Sequence, residues 1–245
     1  MNAYKAVMFD LDGTLCEYNV EPFSAFCEAF ERAQATELLR AHPDVFNLKN
    51  YGVQLKALWA EGRRRFAQGE RNAFPYGVSV ENVTRLLRQA GVTKADLVER
   101  LRQGYLAAML KHLGLREGAH RALERLRGRY RLGLITNGPS ALQWNKVNRL
   151  QLHPRFDDVV VSDDVGVRKP DPAIFAGPLR RFNVAPHEAL YVGDRLEYDV
   201  QGAHNAGIAS VWLNARGESF DGRYPRPELE IAHLDQLLAW LKGPE

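Results

Sequence analysis

The chain has 245 residues, of which 45% are hydrophobic and 26% are charged, as in an ordinary folded globular protein. Its 33 basic and 30 acidic residues leave a net charge of +3, which is too small and too dispersed to predict a nucleic-acid polymer as partner. The first residues do not resemble a signal segment and no apolar stretch is long enough to cross a bilayer, so we expect a cytoplasmic protein with no membrane partner.

The first predicted element is a short buried strand over residues 5–9 that ends abruptly at Asp10-Leu11-Asp12-Gly13-Thr14. Two carboxylates one residue apart repel each other unless a cation or a proton relieves them. Magnesium is the cation that this pattern favours, because it prefers hard oxygen ligands and often joins carboxylates to a substrate phosphate. Taken alone, the same residues also fit a solvated Asp-Gly turn after a strand.

Residues 22–113 contain no convincing strand and several amphipathic stretches, so we expect an all-helical insertion. Thr93 and Asp96 resemble a capping box that opens one of its helices, and Gly91 resembles the end of the preceding helix. We interpret the cluster Arg63-Arg64-Arg65 as a solvated helix face. The predicted apolar faces are Phe23, Phe26 and Phe30; Val53, Leu55, Leu58 and Trp59; Val83, Leu86 and Leu87; and Leu97, Leu101 and Tyr105.

From about residue 115 the pattern alternates between helix and strand, which predicts a parallel sheet with helices on both faces. Strands are expected over residues 132–135, 158–161, 189–192 and 210–213. A loop over residues 162–172 carries Lys169, and Asp171-Pro172 suits the start of the next helix. Gly177-Pro178 within that helix predicts a kink or a break, because proline lacks a backbone donor.

Three of the predicted strands end in polar residues: Asp10 with Asp12, Thr136 with Asn137, and Asp194 with Asp199 shortly after it. The carboxyl ends of parallel strands lie at one edge of a sheet, where α/β proteins bind their ligands. We therefore expect these residues and Lys169 to meet in one cleft. A solvated surface lysine is the alternative interpretation of Lys169.

With these elements in order, the chain resembles the haloacid dehalogenase (HAD) superfamily of phosphotransferases and hydrolases. Four motifs carry the resemblance: Phe9-Asp10-Leu11-Asp12-Gly13-Thr14-Leu15, Ile135-Thr136-Asn137-Gly138, Lys169-Pro170-Asp171-Pro172, and Val192-Gly193-Asp194 with Asp199. The resemblance implies a Rossmann-like α/β core over residues 1–16 and 115–245 and a helical cap of the C1 type over residues 17–114. Its phosphatase branch implies a phosphoric monoester hydrolase.

The resemblance also implies the roles of individual residues. Asp10 is the expected nucleophile, which forms an aspartyl-phosphate, and Asp12 is the expected general acid and base. Mg²⁺ is expected to be held by Asp10, Asp12 through its main-chain carbonyl, and Asp194, with Asp199 as a ligand or as a partner of one. Thr136, Asn137 and Lys169 are expected to bind the phosphoryl oxygens of a small phosphate ester, such as a sugar phosphate or a nucleoside monophosphate.

Three alternatives stay open at this point. The superfamily contains 2-haloacid dehalogenases, but these have no acid at the position of Asp12, so phosphate chemistry is favoured. A phosphomutase would use the same core residues, and a non-catalytic binding protein could keep the same fold. Sites of other kinds have no support, since the two cysteines, Cys16 and Cys27, form no Cys-x-x-Cys pair and no phosphate-binding glycine loop is present. The oligomeric state is left open.

Overall fold

The computed structural model describes residues 4–67 and 78–242, without the side chains of Arg63 and of residues 66, 67 and 78–80. The chain divides into two compact units. The α/β unit consists of Met1–Glu17 and Gly114–Glu245, and the helical unit is Tyr18–Leu113. Each unit has a hydrophobic core of its own.

The strands are β1 (Ala6–Phe9), β2 (Cys16–Tyr18), β3 (Leu113–Leu115), β4 (Arg131–Thr136), β5 (Asp158–Val161), β6 (Ala189–Gly193), β7 (Ala209–Leu213) and β8 (Leu229–Ile231). The α-helices are α1 (Pro22–Arg32), α2 (Thr36–Ala41), α3 (Leu48–Ala67), α4 (Val78–Gln89), α5 (Ala95–Lys111), α6 (Ala119–Leu126), α7 (Ser140–Arg149), α8 (Ser162–Val165), α9 (Ala173–Phe182), α10 (Gln201–Asn205) and α11 (Leu234–Lys242). A turn of π-helix, Leu196–Val200, leads into α10.

The α/β unit is built on a six-stranded sheet in the order β5-β4-β1-β6-β7-β8, in which every pairing is parallel. The predicted α/β fold with a helical insertion is therefore confirmed. β1 lies between β4 and β6, with Phe9 in register with both Leu134 and Val192. Because the three strands are adjacent, the residues that follow them lie side by side at one edge of the sheet.

The sequence prediction missed three short strands. β8 is an edge strand of three residues that follows two prolines, and it is too short to show an alternating pattern. β2 and β3, also of three residues each, form a separate two-stranded sheet. Such short segments are strands because a partner pairs with them, which no local pattern reveals.

The sequence predicts a kink or a break at Gly177-Pro178, and the break is absent. Helix α9 runs from Ala173 to Phe182 with Pro178 inside it. Pro178 is buried on the same side as Ile174 and Phe175, so its packing offsets the hydrogen bond that the helix loses there. The predicted loop over residues 162–172 also contains one short helix, α8.

The helical unit packs around Phe26 and Phe30 of α1, which are buried as predicted. Two predictions for this unit are wrong. Val53 is 54% exposed, because residues 53 and 55 point about 200° apart on a helix and cannot share one face. The capping box at Thr93 is absent, because α5 begins at Ala95 with Lys94 as its N-cap and no side chain caps it.

Within the arginine cluster, Arg64 is exposed as expected and Arg65 is half-buried, whereas the side chain of Arg63 lies outside the described residues. Among residues 4–67 and 78–242, none of the helices combines the length and the apolar character that crossing a bilayer requires.

Candidate active site

The site lies at the carboxyl edge of the sheet, where three neighbouring strands end. Asp10 follows β1, Thr136 is the last residue of β4, and Asp194 follows β6. The backbone N–H of Asp10 donates to the carbonyl of Val192 at 2.9 Å, so the end of β1 is fastened to β6. Short apolar strands that are buried on both faces hold these positions rigidly.

Lys169 is the centre of the site and is 2% exposed, so the alternative of a solvated surface lysine is wrong. Its ammonium contacts Asp10 Oδ1 at 2.5 Å, Asp199 Oδ1 at 2.7 Å and the hydroxyl of Tyr191 at 2.8 Å. Tyr191 in turn donates to the carbonyl of Ile135 at 3.0 Å. A buried ammonium needs partners of this kind, since burial without them strongly disfavours the charge.

Asn137 fastens the loop that carries Lys169. Its Nδ2 donates to the carbonyl of Lys169 at 3.0 Å, and its Oδ1 accepts from the backbone N–H of Lys169 at 2.9 Å. Nδ2 carries two hydrogens, so one remains for another acceptor. Asn137 thus joins the end of β4 to the lysine loop.

Asp10, Asp194 and Asp199 form an acidic cluster, which we call the carboxylate triad. One oxygen of each lies within 4.8 Å of the others, an arrangement that can hold a metal ion. Asp194 Oδ1 is buried and has no hydrogen-bond partner. With Lys169 beside them, the three carboxylates keep an excess of two negative charges, which is the charge of one divalent cation.

The pKa values of Asp10 and Asp194 are raised chiefly by burial, and the neighbouring carboxylates add to the effect. Burial raises the pKa of Asp10 well above its usual range, with Asp199 and Asp194 adding to the effect and Lys169 opposing it. Burial, followed by the charge of Asp199, raises the pKa of Asp194 from 3.8 to about 7. Asp10 and Asp199 hold the pKa of Lys169 above its usual value even though burial opposes this. Burial and like charge therefore raise the pKa of both Asp10 and Asp194.

Asp12 is held apart from the triad by its own partners. Lys146 Nζ lies 2.7 Å from each of its carboxylate oxygens, and Gln143 Nε2 donates to Oδ2 at 2.9 Å. Gln143 Nε2 also donates its second hydrogen to Thr136 Oγ1, and the distance between Nε2 and Oγ1 is 2.5 Å. Burial alone would raise the pKa of Asp12, but Lys146 and Gln143 outweigh it and lower that pKa.

Sequence reasoning missed Gln143, Lys146 and Tyr191. Gln143 and Lys146 lie three residues apart on α7, the helix that follows Thr136-Asn137-Gly138, and both are buried. Two long polar side chains on one face of a helix next to a site motif were the available signal. Tyr191 was assigned only to the interior of a strand, although its hydroxyl was the one polar group in that run.

Gly193 packs against Asp199 with no space for a side chain. We therefore expect Gly193→Ala to destabilise the protein and to displace Asp199. An added Cβ would lie 2.3 Å from both Cβ and Cγ of Asp199, so the aspartate would have to leave Lys169. Such overpacking costs about 1–3 kcal/mol of unfolding free energy. Denaturant unfolding measures it, and the affinity for divalent cations should fall as well.

Gly177→Ala is the matched control. A Cβ at Gly177 meets no atom within 4 Å, and the residue lies inside α9. Alanine should therefore stabilise the helix by up to about 1 kcal/mol. If Gly193→Ala unfolds like the wild type, the close packing of Gly193 on Asp199 does not govern stability.

Comparisons with known proteins agree with this geometry. A glyceraldehyde 3-phosphate phosphatase from Pyrococcus furiosus is 42% identical over 134 residues, which are 51% of this chain and 53% of that protein. The chain therefore spans about half the length of the curated relatives that it first matches.

Two solved structures match almost the whole chain. The HAD hydrolase YfnB from Bacillus subtilis, bound to magnesium, is 25% identical with a TM-score of 0.72 over 97% of this chain and 98% of that one. A 2-haloacid dehalogenase from Pseudomonas syringae is 27% identical with a TM-score of 0.60 over 98% of each chain. The family model for haloacid dehalogenase-like hydrolases matches residues 4–207, so this chain belongs to that family.

Proposed function

We propose that this chain is a magnesium-dependent phosphatase that hydrolyses a small phosphate monoester through an aspartyl-phosphate. The observation that carries the proposal is that the two carboxylates that follow β1, Asp10 and Asp12, have different surroundings. Asp10 belongs to the carboxylate triad and contacts Lys169, whereas Asp12 lies outside the triad with Lys146 as its partner. One carboxylate is thus placed to attack and the other to exchange a proton.

The proposed reaction has two balanced halves. In the first, a carboxylate oxygen of Asp10 bonds to phosphorus, the ester P–O bond breaks, and Asp12 gives its proton to the departing alkoxide. In the second, a water oxygen bonds to phosphorus and its proton goes to Asp12. The bond between Asp10 and phosphorus breaks, which releases inorganic phosphate and restores both carboxyl groups.

The phosphoryl oxygens are the proposed ligands of Lys169, Thr136 and Asn137. Thr136 Oγ1 accepts from Gln143, so its own hydrogen is directed away from that contact and can donate to an anion. The ammonium of Lys169 already lies beside Asp10, and Asn137, whose side chain has a spare N–H, is hydrogen-bonded to the backbone of Lys169. Preorganised donors of this kind stabilise the charge that spreads over the phosphoryl group.

The residues present fit a magnesium ion. The donor set is all oxygen, carries two negative charges in excess, and includes the unpartnered Oδ1 of Asp194. We assign Asp10, Asp194 and the main-chain carbonyl of Asp12 as ligands, with Asp199 as a ligand or as the partner that orients one. When bound, Mg²⁺ supplies the positive charge that lets an anionic nucleophile approach an anionic phosphate.

A panel of phosphate esters, assayed with and without Mg²⁺, tests the proposed function. Triose phosphates, sugar phosphates and nucleoside monophosphates belong in the panel, since one relative is a triose-phosphate phosphatase. Release of inorganic phosphate that requires Mg²⁺ supports a phosphatase, and conversion to an isomeric phosphate instead would show a mutase. The likeness to a dehalogenase makes 2-haloacid hydrolysis the second candidate. Halide release without phosphate release would replace the proposal.

We expect the stability of the metal-free protein to fall as the pH rises from about 4 to about 7. The pKa of Asp194 is raised from 3.8 to about 7 in the folded protein, so the folded state binds its proton more tightly than the unfolded chain does. The stability that this group contributes is complete below its unfolded pKa and is lost as the pH passes through the folded pKa. Thermal unfolding at a series of pH values measures the effect.

Mg²⁺ should raise Tm most at the upper end of that pH range, because it binds the deprotonated carboxylates. Asp194→Asn removes the carboxyl group whose pKa is raised to about 7, so it should weaken both the pH dependence of stability and the Mg²⁺ effect. An equal Mg²⁺ shift at about pH 4 and about pH 8 would contradict the assignment of the triad as the metal site.

Asp12→Asn should lower kcat on an alkyl phosphate by about 10²–10⁴-fold, because an amide cannot give a proton to the leaving oxygen. An activated aryl phosphate, whose leaving group needs no proton, should lose much less. Asp44→Asn, at an exposed position of the helical unit, is the control. Equal losses on the two esters would count against leaving-group protonation as the role of Asp12.

A further inference from the structure

We propose that Lys146 and Gln143 are positioning residues that hold the Asp12 carboxylate in its reactive orientation. This inference rests on the proposed function, in which Asp12 exchanges a proton with the substrate, and it goes beyond the residues assigned above. It starts from the burial of two polar side chains on α7, of which Lys146 contacts Asp12 and Gln143 contacts both Asp12 and Thr136.

The burial of Lys146 is the first observation. Its side chain is 5% exposed, although a lysine is among the residues that are least often buried. The ammonium lies 2.7 Å from both oxygens of Asp12, which is 134 residues away in the chain. A buried ammonium is costly unless it is well paired, so this contact has a role that an apolar residue at position 146 would not fill.

The second observation is how the lone pairs of Asp12 are used. A carboxylate offers about four acceptor positions. Lys146 takes one on each oxygen, and Gln143 takes the second one on Oδ2. The remaining position is on Oδ1, where the thiol of Cys16 makes only a weak contact at 3.9 Å. Lys146 and Gln143, which together we call the clamp, therefore leave a single acceptor position, on Oδ1, for the proton that Asp12 exchanges.

Gln143 extends the clamp to the phosphoryl-binding group. One hydrogen of its Nε2 points to Asp12 and the other to Thr136 Oγ1. Spaced three residues apart on α7, Gln143 and Lys146 lie on the same helix face and reach Asp12 together. A single helix thereby sets the position of the acid–base carboxyl relative to the group that holds the phosphate.

Double-mutant kinetics test the inference. Lys146→Met should lower kcat on an alkyl phosphate by about tenfold or more, as expected for loss of a charge-assisted contact, with KM nearly unchanged. Activity on an activated aryl phosphate should fall less. In an Asp12→Asn background, the same change should have an effect of less than about threefold, since Lys146 acts through the group already removed. Lys146→Arg should recover part of the activity.

Two further variants complete the design. Lys5→Met removes an exposed, ion-paired lysine of the same unit and should leave kcat unchanged. Gln143→Met tests the clamp without removing a charge, and it replaces Lys146→Met if that protein does not fold. Effects of Lys146→Met that are equal on both esters, or that multiply fully with Asp12→Asn, would overturn the inference. A wild-type protein that hydrolyses no phosphate ester would instead overturn the proposed function, and this inference with it.

Discussion

Asp10→Asn is expected to abolish phosphate-ester hydrolysis, with a fall in kcat of about 10³-fold or more. An amide oxygen is a poor nucleophile, and the change also removes one charge from the carboxylate triad. Steady-state rates with saturating Mg²⁺ measure the loss. Because the triad carries excess negative charge, the metal-free variant should not unfold at a lower temperature than the wild type.

The same protein preparations supply the control for that result. Asp44→Asn changes an exposed aspartate of the helical unit in the same way and should keep full activity. Trapping of a phosphorylated enzyme in the wild type, and its absence in Asp10→Asn, would locate the covalent step on this residue. A folded Asp10→Asn protein with a rate within about tenfold of wild type would show that another group is the nucleophile.

Lys169→Met is expected to lower kcat by about 10²–10³-fold, because the proposed function makes its ammonium a preorganised donor to the phosphoryl group. It should also destabilise the metal-free protein. Lys169 is the cation that contacts Asp10 and Asp199, and removal of one partner from a buried ion pair costs about 3–5 kcal/mol. Urea unfolding with and without Mg²⁺ separates the two effects, since the metal should restore much of the lost stability.

The pH dependence of that variant gives a sharper test. Without Lys169, Asp10 loses the charge that opposes its protonation, so the destabilisation should be larger at about pH 8 than at about pH 5. Lys56→Met, at an exposed position of α3, should change neither activity nor stability. A Lys169→Met protein as active as the wild type would remove this residue from the proposed site.

Local sequence patterns were sufficient for the main elements of the α/β unit. A run such as Ala6–Phe9 is apolar because both faces of a central parallel strand are buried, and that property is visible without knowing the neighbours. The edge strand β8 was missed for the converse reason, since its three residues become a strand only by pairing with β7. Pro178 was also misjudged, because burial offset a local preference against helix.

The sequence alone was enough to name six candidate site residues, because their positions mark them. Each is a polar residue that directly follows a buried strand or lies in a loop of a recognisable motif. They are Asp10, Asp12, Thr136, Asn137, Asp194 and Lys169. That they share one edge follows from the parallel order of the strands. The side chains that contact these residues could not be predicted from the sequence. The contacts of Lys146 and Gln143 with Asp12 span more than a hundred residues, and Tyr191 contacts Lys169 from within a buried strand. A side chain's long-range partner depends on how helices and strands pack, so only the tertiary structure showed that Asp10 and Asp12 lie in two different electrostatic environments.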